Sequence, residues 1–217
     1  MAFGEVGTSL SKIKANSLNL AGTFGFSGTV TGLADETPLV LISTFTSDGS
    51  DATASFTSGI DSTYKEYLFI FNNLHPSAET NLQFNGSSDT GSNYNVTKTT
   101  TFFQTRHDED DSPTQLAYET GKDLAQGTGF KQLVPYVGTG NDESVSGFLK
   151  LYNPSSTTFV KHFVAQTNGH GTDGSNESCY GGFVGGYFNT TSAIDAIQFK
   201  MASGEIQGGT IDLFGVV

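Results

Sequence analysis

The residues of this chain that could bind a metal ion or catalyse a reaction are few and widely spaced. The densest group is the acidic run at residues 107–111, where Asp108, Asp110 and Asp111 offer the carboxylate oxygens that hard cations such as Ca²⁺ bind. The run lacks the alternating oxygen ligands and the central glycine of an EF-hand loop. Two interpretations stay open, a solvated surface loop and a weak cation site, and the surface loop is the one we predict.

A second polar stretch, residues 168–176, could act as a binding loop. Together with the aromatic residue that follows it, its candidate contact residues are Asn168, His170, Asp173, Asn176 and Tyr180. Small polar side chains adapt to a ligand, and a tyrosine adds a rigid contact, which is why binding loops favour this mixture. The alternative is a plain connector between two strands, and both interpretations stay open.

The remaining residues match no catalytic or zinc-binding pattern. The four histidines are scattered without an H-E-x-x-H motif, and Cys179 is the only cysteine. No G-x-S-x-G nucleophile motif and no phosphate-binding glycine loop is present. A pair of catalytic carboxylates would leave no trace in the sequence, so a polysaccharide-degrading enzyme stays as the third functional alternative. We predict that the protein is not an enzyme and uses neither a cofactor nor a metal.

Charge and composition narrow the choice of partners. The formal net charge is −12, with 10 Lys and Arg against 22 Asp and Glu, whereas proteins that bind nucleic acid need a basic surface. The first 20 residues contain no unbroken apolar run, so we expect neither a signal peptide nor membrane insertion. The sequence therefore predicts a product made in a cytoplasm, without nucleic-acid partners.

The elements that must position these residues are β-strands. The chain has 18 Phe, 8 Tyr and 27 Gly, and its apolar residues follow a period of two, so residues 39–217 predict an antiparallel, jelly-roll-like β-sandwich. We expect residues 64–73 to form a central strand covered on both faces, and residues 39–46 and 52–56 to pair around an Asp-Gly turn. A short helix is expected within residues 115–124. The predicted core includes Tyr67, Phe69, Leu149, Leu151, Ile211 and Leu213.

The segment before this domain has a different pattern. In residues 18–32 the even positions are apolar or glycine, with Leu18, Leu20, Phe24, Phe26 and Val30 on one face of an extended strand. We predict that residues 1–38 form an N-terminal arm for attachment and oligomerisation, ending in a hinge at residues 32–38. The alternative is two ordinary strands with a turn near Gly25. An arm with an uncovered apolar face has to be buried against another copy or a larger particle.

Three segments resemble bacteriophage virion surface proteins. Residues 18–32 match an L-x-x-x-G-T-x-x-x-x-G-T-V pattern of phage fibre shafts and attachment arms, while residues 56–67 and 208–215 resemble segments of marine phage structural proteins. The resemblance implies a short fibre, tail-tip or capsid decoration protein located in the virion. It also implies a homotrimer that contacts other virion proteins and a host surface glycan. The alternative function from a different class is a carbohydrate-binding or adhesin module.

Overall fold

The computed structural model describes residues 38–112, 114–172 and 176–217, and these residues form twelve β-strands and no α-helix. The predicted arm residues Leu18, Leu20, Phe24, Phe26 and Val30 lie outside the described residues. The strands are β1 Leu39–Thr46, β2 Ala54–Phe56, β3 Glu66–Pro76, β4 Leu82–Ser87, β5 Lys98–Asp108, β6 Thr114–Tyr118, β7 Lys131–Gln132, β8 Val145–Tyr152, β9 Lys161–Thr172, β10 Glu177–Phe188, β11 Ala196–Met201 and β12 Ile206–Val216.

The strands form two antiparallel sheets. The large sheet has eight strands in the order β1-β12-β3-β8-β9-β10-β5-β6, and the small sheet has four in the order β2-β11-β4-β7. Every strand pairing within them is antiparallel. The predicted all-β antiparallel sandwich is therefore confirmed.

Strand pairing identifies the type of sandwich. Setting aside β5, β6, β9 and β10, the other eight strands pair first with last and then inward, as β1 with β12, β2 with β11, β3 with β8, and β4 with β7. This nested pairing in two four-stranded sheets is the jelly-roll connectivity. The strand pairs β5–β6 and β9–β10 are insertions, and both extend the large sheet beyond β8.

The core lies between the two sheets. All six predicted core residues, including Tyr67, Phe69 and Leu149, are fully buried, so this prediction is confirmed. At the centre, Phe199 of the small sheet packs edge-on against Phe69 and Phe71 of the large sheet, with ring centroids 5.2 and 5.1 Å apart. Edge-to-face pairs of this kind add about 0.5–1.5 kcal/mol each beyond the area they bury.

Two buried lysines connect the β5–β6 insertion to the rest of the domain. Lys98, at the start of β5, donates hydrogen bonds to the carbonyl oxygens of Val96 at 3.1 Å and Gly129 at 2.7 Å. Lys131 of β7 donates to the Lys122 carbonyl at 2.6 Å, and its Nζ lies 4.7 Å from the centre of the Phe102 ring. Burial disfavours the charged form, and it lowers the pKa of Lys98 to about 7 and that of Lys131 to about 8.

Two local predictions were wrong. Strands β1 and β2 do not pair with each other, because the backbone after β1 continues along β12: Ser47 N–H bonds to the Gly209 carbonyl, and Asp51 bridges to Ile206. The chain thereby crosses from the large to the small sheet. The predicted helix within residues 115–124 is instead strand β6 followed by a 3₁₀ turn, Thr120–Lys122. Pairing with β5 satisfies the β6 backbone and overrides local helix propensity.

The central strand was predicted correctly in position but not in environment. Strand β3 lies between β12 and β8, and Tyr67, Phe69 and Phe71 are buried on its inner side. On its other side, Leu68 and Ile70 remain partly exposed and line an open groove. The expectation that both faces are covered is therefore wrong for the described residues, since the small sheet packs on one face only.

Candidate interaction surface

The most distinctive surface of the described residues is the outer face of the large sheet, meaning the face that points away from the small sheet. Side chains alternate between the two faces of a strand. In β9, Phe163 is buried inside while Val164 is exposed outside; in β5, Phe102 is buried while Phe103 is exposed. The outer face is therefore built by residues that directly follow or precede core residues.

Strand register aligns the outer residues into two rows across the sheet. The first row comprises Asp212, Ile70, Phe148, Gln166, Phe183, Phe103 and Tyr118, each the direct partner of the next. The second row comprises Phe214, Leu68, Lys150, Val164, Gly185 and Thr101. Directly opposite side chains lie about 4.5–5.5 Å apart at Cβ, so Phe183, Phe103 and Tyr118 are direct neighbours. Gln166 separates this group from Phe148 within the row, and all of these residues except Tyr118 line one shared depression.

This surface is open to solvent. The exposed fractions are 47% for Phe103, 40% for Val164 and 37% for Phe183, high values for large apolar side chains. One depression of about 350 Å³ is lined by these residues and Phe148. A larger groove of about 590 Å³ runs from Phe148 past Ile70 to Leu39 and Val216 at the β1 edge. Uncovered apolar surfaces of this kind mark interaction sites in soluble proteins.

Charge is almost absent from the two rows. Their charged members are Lys150 and Asp212, and each is paired locally. Lys150 Nζ lies 2.5 Å from Glu66 Oε2, and this bond raises the pKa of Lys150. Asp212 accepts hydrogen bonds from Thr44 Oγ1 at 2.6 Å and from Asn72 Nδ2 at 3.3 Å. The two rows thus form a nearly uncharged band across the outer face of a strongly acidic chain.

The predicted binding loop is mostly strand. Strand β9 continues to Thr172, and β10 begins at Glu177. Glycines in β9 let this strand pass close to the backbone of residues 134–138. A methyl group at Gly169 would lie 2.9 Å from the Tyr136 carbonyl oxygen, and one at Gly171 would lie 2.5 Å from the Gly138 nitrogen. These glycines suggested a flexible loop in the sequence, whereas they serve close backbone packing.

The five predicted contact residues do not form one surface. Asn168 and His170 lie on the outer face, where Asn168 Nδ2 donates to Cys179 Sγ at 3.1 Å. Tyr180 is buried on the opposite face, with its ring 6.1 Å from that of Tyr136. Asn176 immediately precedes β10 and donates to Asp110 at 3.2 Å. Asp173 lies outside the described residues.

The three aspartates of the acidic run each interact with different residues. Asp108 is buried, accepts two hydrogen bonds from the Arg106 guanidinium at 2.5 and 2.8 Å, and accepts a third from Ser178. The Arg106 bonds, followed by that from Ser178, lower the pKa of Asp108 to about 2. Asp110 accepts from Ser112, and Asp111 lies 3.2 Å from His107 Nε2. These three carboxylates do not converge on a common point.

Sequence reasoning missed a different group, formed by Glu109, His170 and Glu177. Their donor atoms all lie within 4.8 Å of one another, and they are the candidate metal ligands among the described residues. Glu109 and Glu177 belong to no recognisable sequence motif. The signal that brings them together is strand register, because β10 pairs with both β9 and β5 and aligns the ends of all three strands.

Comparison with protein-family models, curated proteins and solved structures finds no match for this chain. In the described ranges, no helix is long and apolar enough to cross a membrane. The described residues form a jelly-roll sandwich with two inserted strand pairs, and one apolar face of its large sheet is uncovered by any described element.

Proposed function

We propose that this chain is a non-enzymatic structural protein of a phage particle that associates with further copies of itself through the outer face of the large sheet. The observation that carries the proposal is the uncovered apolar surface around Phe103, Phe148 and Phe183. The role is that of a short fibre, tail-tip or capsid decoration protein, made in the host cytoplasm and incorporated into the virion. Jelly rolls serve in viral capsids, which supports this role by fold-level analogy.

Charge favours a second copy as the occupant of the outer face. Each chain carries a net charge of −12, so two copies repel each other over most of their surface. Contact is least unfavourable where charge is lowest, and in the outer rows the two charged residues, Lys150 and Asp212, are already paired within the same chain. The two rows of the outer face are therefore a part of the described surface where identical acidic molecules can meet at low electrostatic cost.

The arm is proposed as the second assembly element. In an extended conformation, the alternation of residues 18–32 would place Leu18, Leu20, Phe24, Phe26 and Val30 on one side of the strand. Burying five such side chains contributes roughly 7–15 kcal/mol before ordering costs, which is comparable to the roughly 4–15 kcal/mol cost of association. We expect the arm and the outer face together to hold a homotrimer, which also contacts other virion proteins.

The test is the mass of the 217-residue chain in solution by light scattering. We expect three times the mass of one chain. Phe103→Asp with Phe183→Asp should shift the mass to that of one chain, since two carboxylates would be buried without partners. Ser55→Asp with Gln198→Asp adds the same charge to the outer side of the small sheet and should leave the oligomer intact. Phe24→Asp with Phe26→Asp tests the arm separately.

Three outcomes would contradict the proposal or part of it. A monomeric wild-type chain rules out self-association. An oligomer that survives the Phe103 and Phe183 changes places the interface elsewhere. A monomer that binds glycans on an array through the exposed rings of Phe103 and Tyr118, which meet edge-on at 5.3 Å, favours the carbohydrate-binding module instead. In the particle, the same rings are available to a host surface glycan.

A further inference from the structure

Strand register brings three metal-binding side chains together at one end of the outer face. Cys179 lies between His170 of β9 and His107 of β5, so the three strands end level with one another. Glu177 begins β10, and the Glu109 N–H just after β5 donates to the Glu177 carbonyl oxygen at 2.9 Å. This backbone bond holds the two glutamates side by side, with His170 facing both.

The distances between the donor atoms are those of a metal coordination sphere. His170 Nε2 lies 3.5 Å from Glu109 Oε1 and 3.6 Å from Glu177 Oε2. Zinc binds imidazole nitrogen and carboxylate oxygen at about 2.0–2.2 Å in a tetrahedral arrangement, which places neighbouring ligand atoms about 3.4 Å apart. The donor atoms of Glu109 and Glu177 lie within 4.8 Å of each other, so an ion can occupy the space between the three side chains if the two exposed glutamates close in by at most about 1.4 Å.

The imidazole nitrogen that faces this space has no other partner. His170 Nε2 is shielded from solvent and makes no hydrogen bond to any described residue. A buried polar nitrogen without a partner is costly and rare in folded proteins. The two glutamates are more exposed, with 65% and 50% of their side chains accessible, so an ion can reach the nitrogen from solvent.

We propose that Glu109, His170 and Glu177 bind one divalent cation of the zinc class, with water in the fourth position. An imidazole nitrogen with two carboxylate oxygens suits zinc and related transition metals, whereas Ca²⁺ takes six to eight oxygen ligands and Mg²⁺ keeps several waters. Two carboxylates balance the charge of the ion. The bound ion joins the end of β5 to the β9–β10 strand pair and fastens the two insertions to each other. This proposal goes beyond the assembly function and does not depend on it.

The neighbouring polar side chains have other partners in the structure. Asp108 is engaged by Arg106 and Ser178, and Asp111 lies beside His107. Cys179 is exposed between the two histidine-bearing strands, and its sulfur accepts a hydrogen bond from Asn168. The competing explanation is a protonated His170 held between two carboxylates without any ion, and the experiment has to distinguish it from metal binding.

The experiment is a zinc titration of the full 217-residue chain without a histidine tag, freed of metal by EDTA and monitored with a competing chromophoric chelator. We expect one ion per chain. Glu109→Gln and Glu177→Gln should each lower the affinity by roughly a hundredfold, because each removes one of three protein ligands. Glu109 is exposed, so its variant remains folded. At the same zinc concentration, the melting temperature of the wild-type chain should rise more than that of Glu109→Gln.

Matched controls identify the ligands. His162 lies on the same face of β9 at its other end, with its ring 5.9 Å from that of Tyr187, so His162→Asn should bind zinc as the wild type does. Cys179→Ser should also retain binding. With Co²⁺ in place of zinc, visible absorption bands of a tetrahedral site should appear in the wild type and be absent in His170→Asn. Nitrogen NMR of His170 should report a metal-bound ring nitrogen rather than a protonated one.

The proposal is overturned if the wild-type chain binds no stoichiometric zinc, which leaves the protonated histidine as the explanation. It is also overturned if both glutamine variants bind like the wild type. Loss of binding in Cys179→Ser with retention in Glu109→Gln would assign the ion to a thiolate site instead.

Discussion

Phe102 and Phe103 are neighbours in β5, yet Phe102 is completely buried and Phe103 is 47% exposed. The same contrast separates the inner and outer faces of the whole large sheet, because both faces carry aromatic and aliphatic side chains but the small sheet covers only one. The difference shows that residue type does not decide burial here; the presence of a second layer does. An apolar face that the domain leaves uncovered indicates a contact supplied from outside.

The largest difference between the faces is expected in stability. Phe199→Ala should destabilise the domain by about 3–5 kcal/mol, because it leaves a cavity where rings from both sheets meet. Phe183→Ala on the outer face should change the free energy of unfolding by less than about 1 kcal/mol in the monomer. Urea denaturation of both variants, measured on a monomeric background, checks the comparison. Equal losses would mean that the outer face is part of the core.

Glycines of β10 provide a second comparison of the two faces. A methyl group on Gly182 would point inward and overlap the Leu133 carbonyl oxygen, so Gly182→Ala should cost about 1–3 kcal/mol. A methyl group on Gly185 would point outward and meet only Thr101 Oγ1 at 3.4 Å. Gly185→Ala should therefore be neutral or slightly stabilising. Thermal unfolding of the pair measures the difference, and a well-tolerated Gly182→Ala would show that the Leu133 segment can move aside.

Lysines on the two faces should respond to pH in different ways. Burial lowers the pKa of Lys98 to about 7, below its value in the unfolded chain, so the unfolded state binds more protons above pH 7. The contribution of Lys98 to stability therefore rises from pH 7 to 9, by at most about 1.4 kcal/mol per pH unit. Lys98→Met should reduce this slope, as seen in urea midpoints across the range.

Lys150 on the outer face is the matched control. Its bond to Glu66 raises its pKa, so its contribution is fully present below the unfolded pKa and is lost only as pH rises through the higher folded value. Lys150→Met should leave the slope between pH 7 and 9 unchanged. A slope that Lys98→Met does not alter would mean that Lys98 stays protonated in the folded domain.

The sequence predicted those parts of the fold that follow from local alternation. Tyr67, Phe69, Leu149 and Ile211 recur with a period of two beside partly polar neighbours, and this pattern was sufficient to place the central strands and the core. The position of β6 depended on pairing with β5, and the separation of β1 from β2 depended on β12. These are long-range contacts, which no local pattern encodes.

The candidate sites were less predictable for the same reason. Phe103 and Phe148 follow the same alternation as core residues, so only knowledge of which face the small sheet covers shows that Phe103 is exposed and Phe148 only partly buried. Glu109 and Glu177 are ordinary surface acids until two strand pairings align them with His170. Gly169 and Gly171 suggested a flexible loop in the sequence, because glycine is typical both of flexible loops and of strands that pack closely against another backbone.

The pairing of β1 with β12 has a consequence for how the chain folds. Strand β12 lies between β1 and β3, with Leu39 opposite Val216 and Phe69 opposite Leu213, so the last of the described strands joins β1 to the rest of the large sheet. Until β12 pairs, β1 has no neighbour in the described sheet and one edge of β3 is unpaired. Closing so long a loop is entropically costly, and folds dominated by such contacts form slowly. Pairing of β12 with strands from the start of the domain is therefore the long-range contact that completes this end of the large sheet.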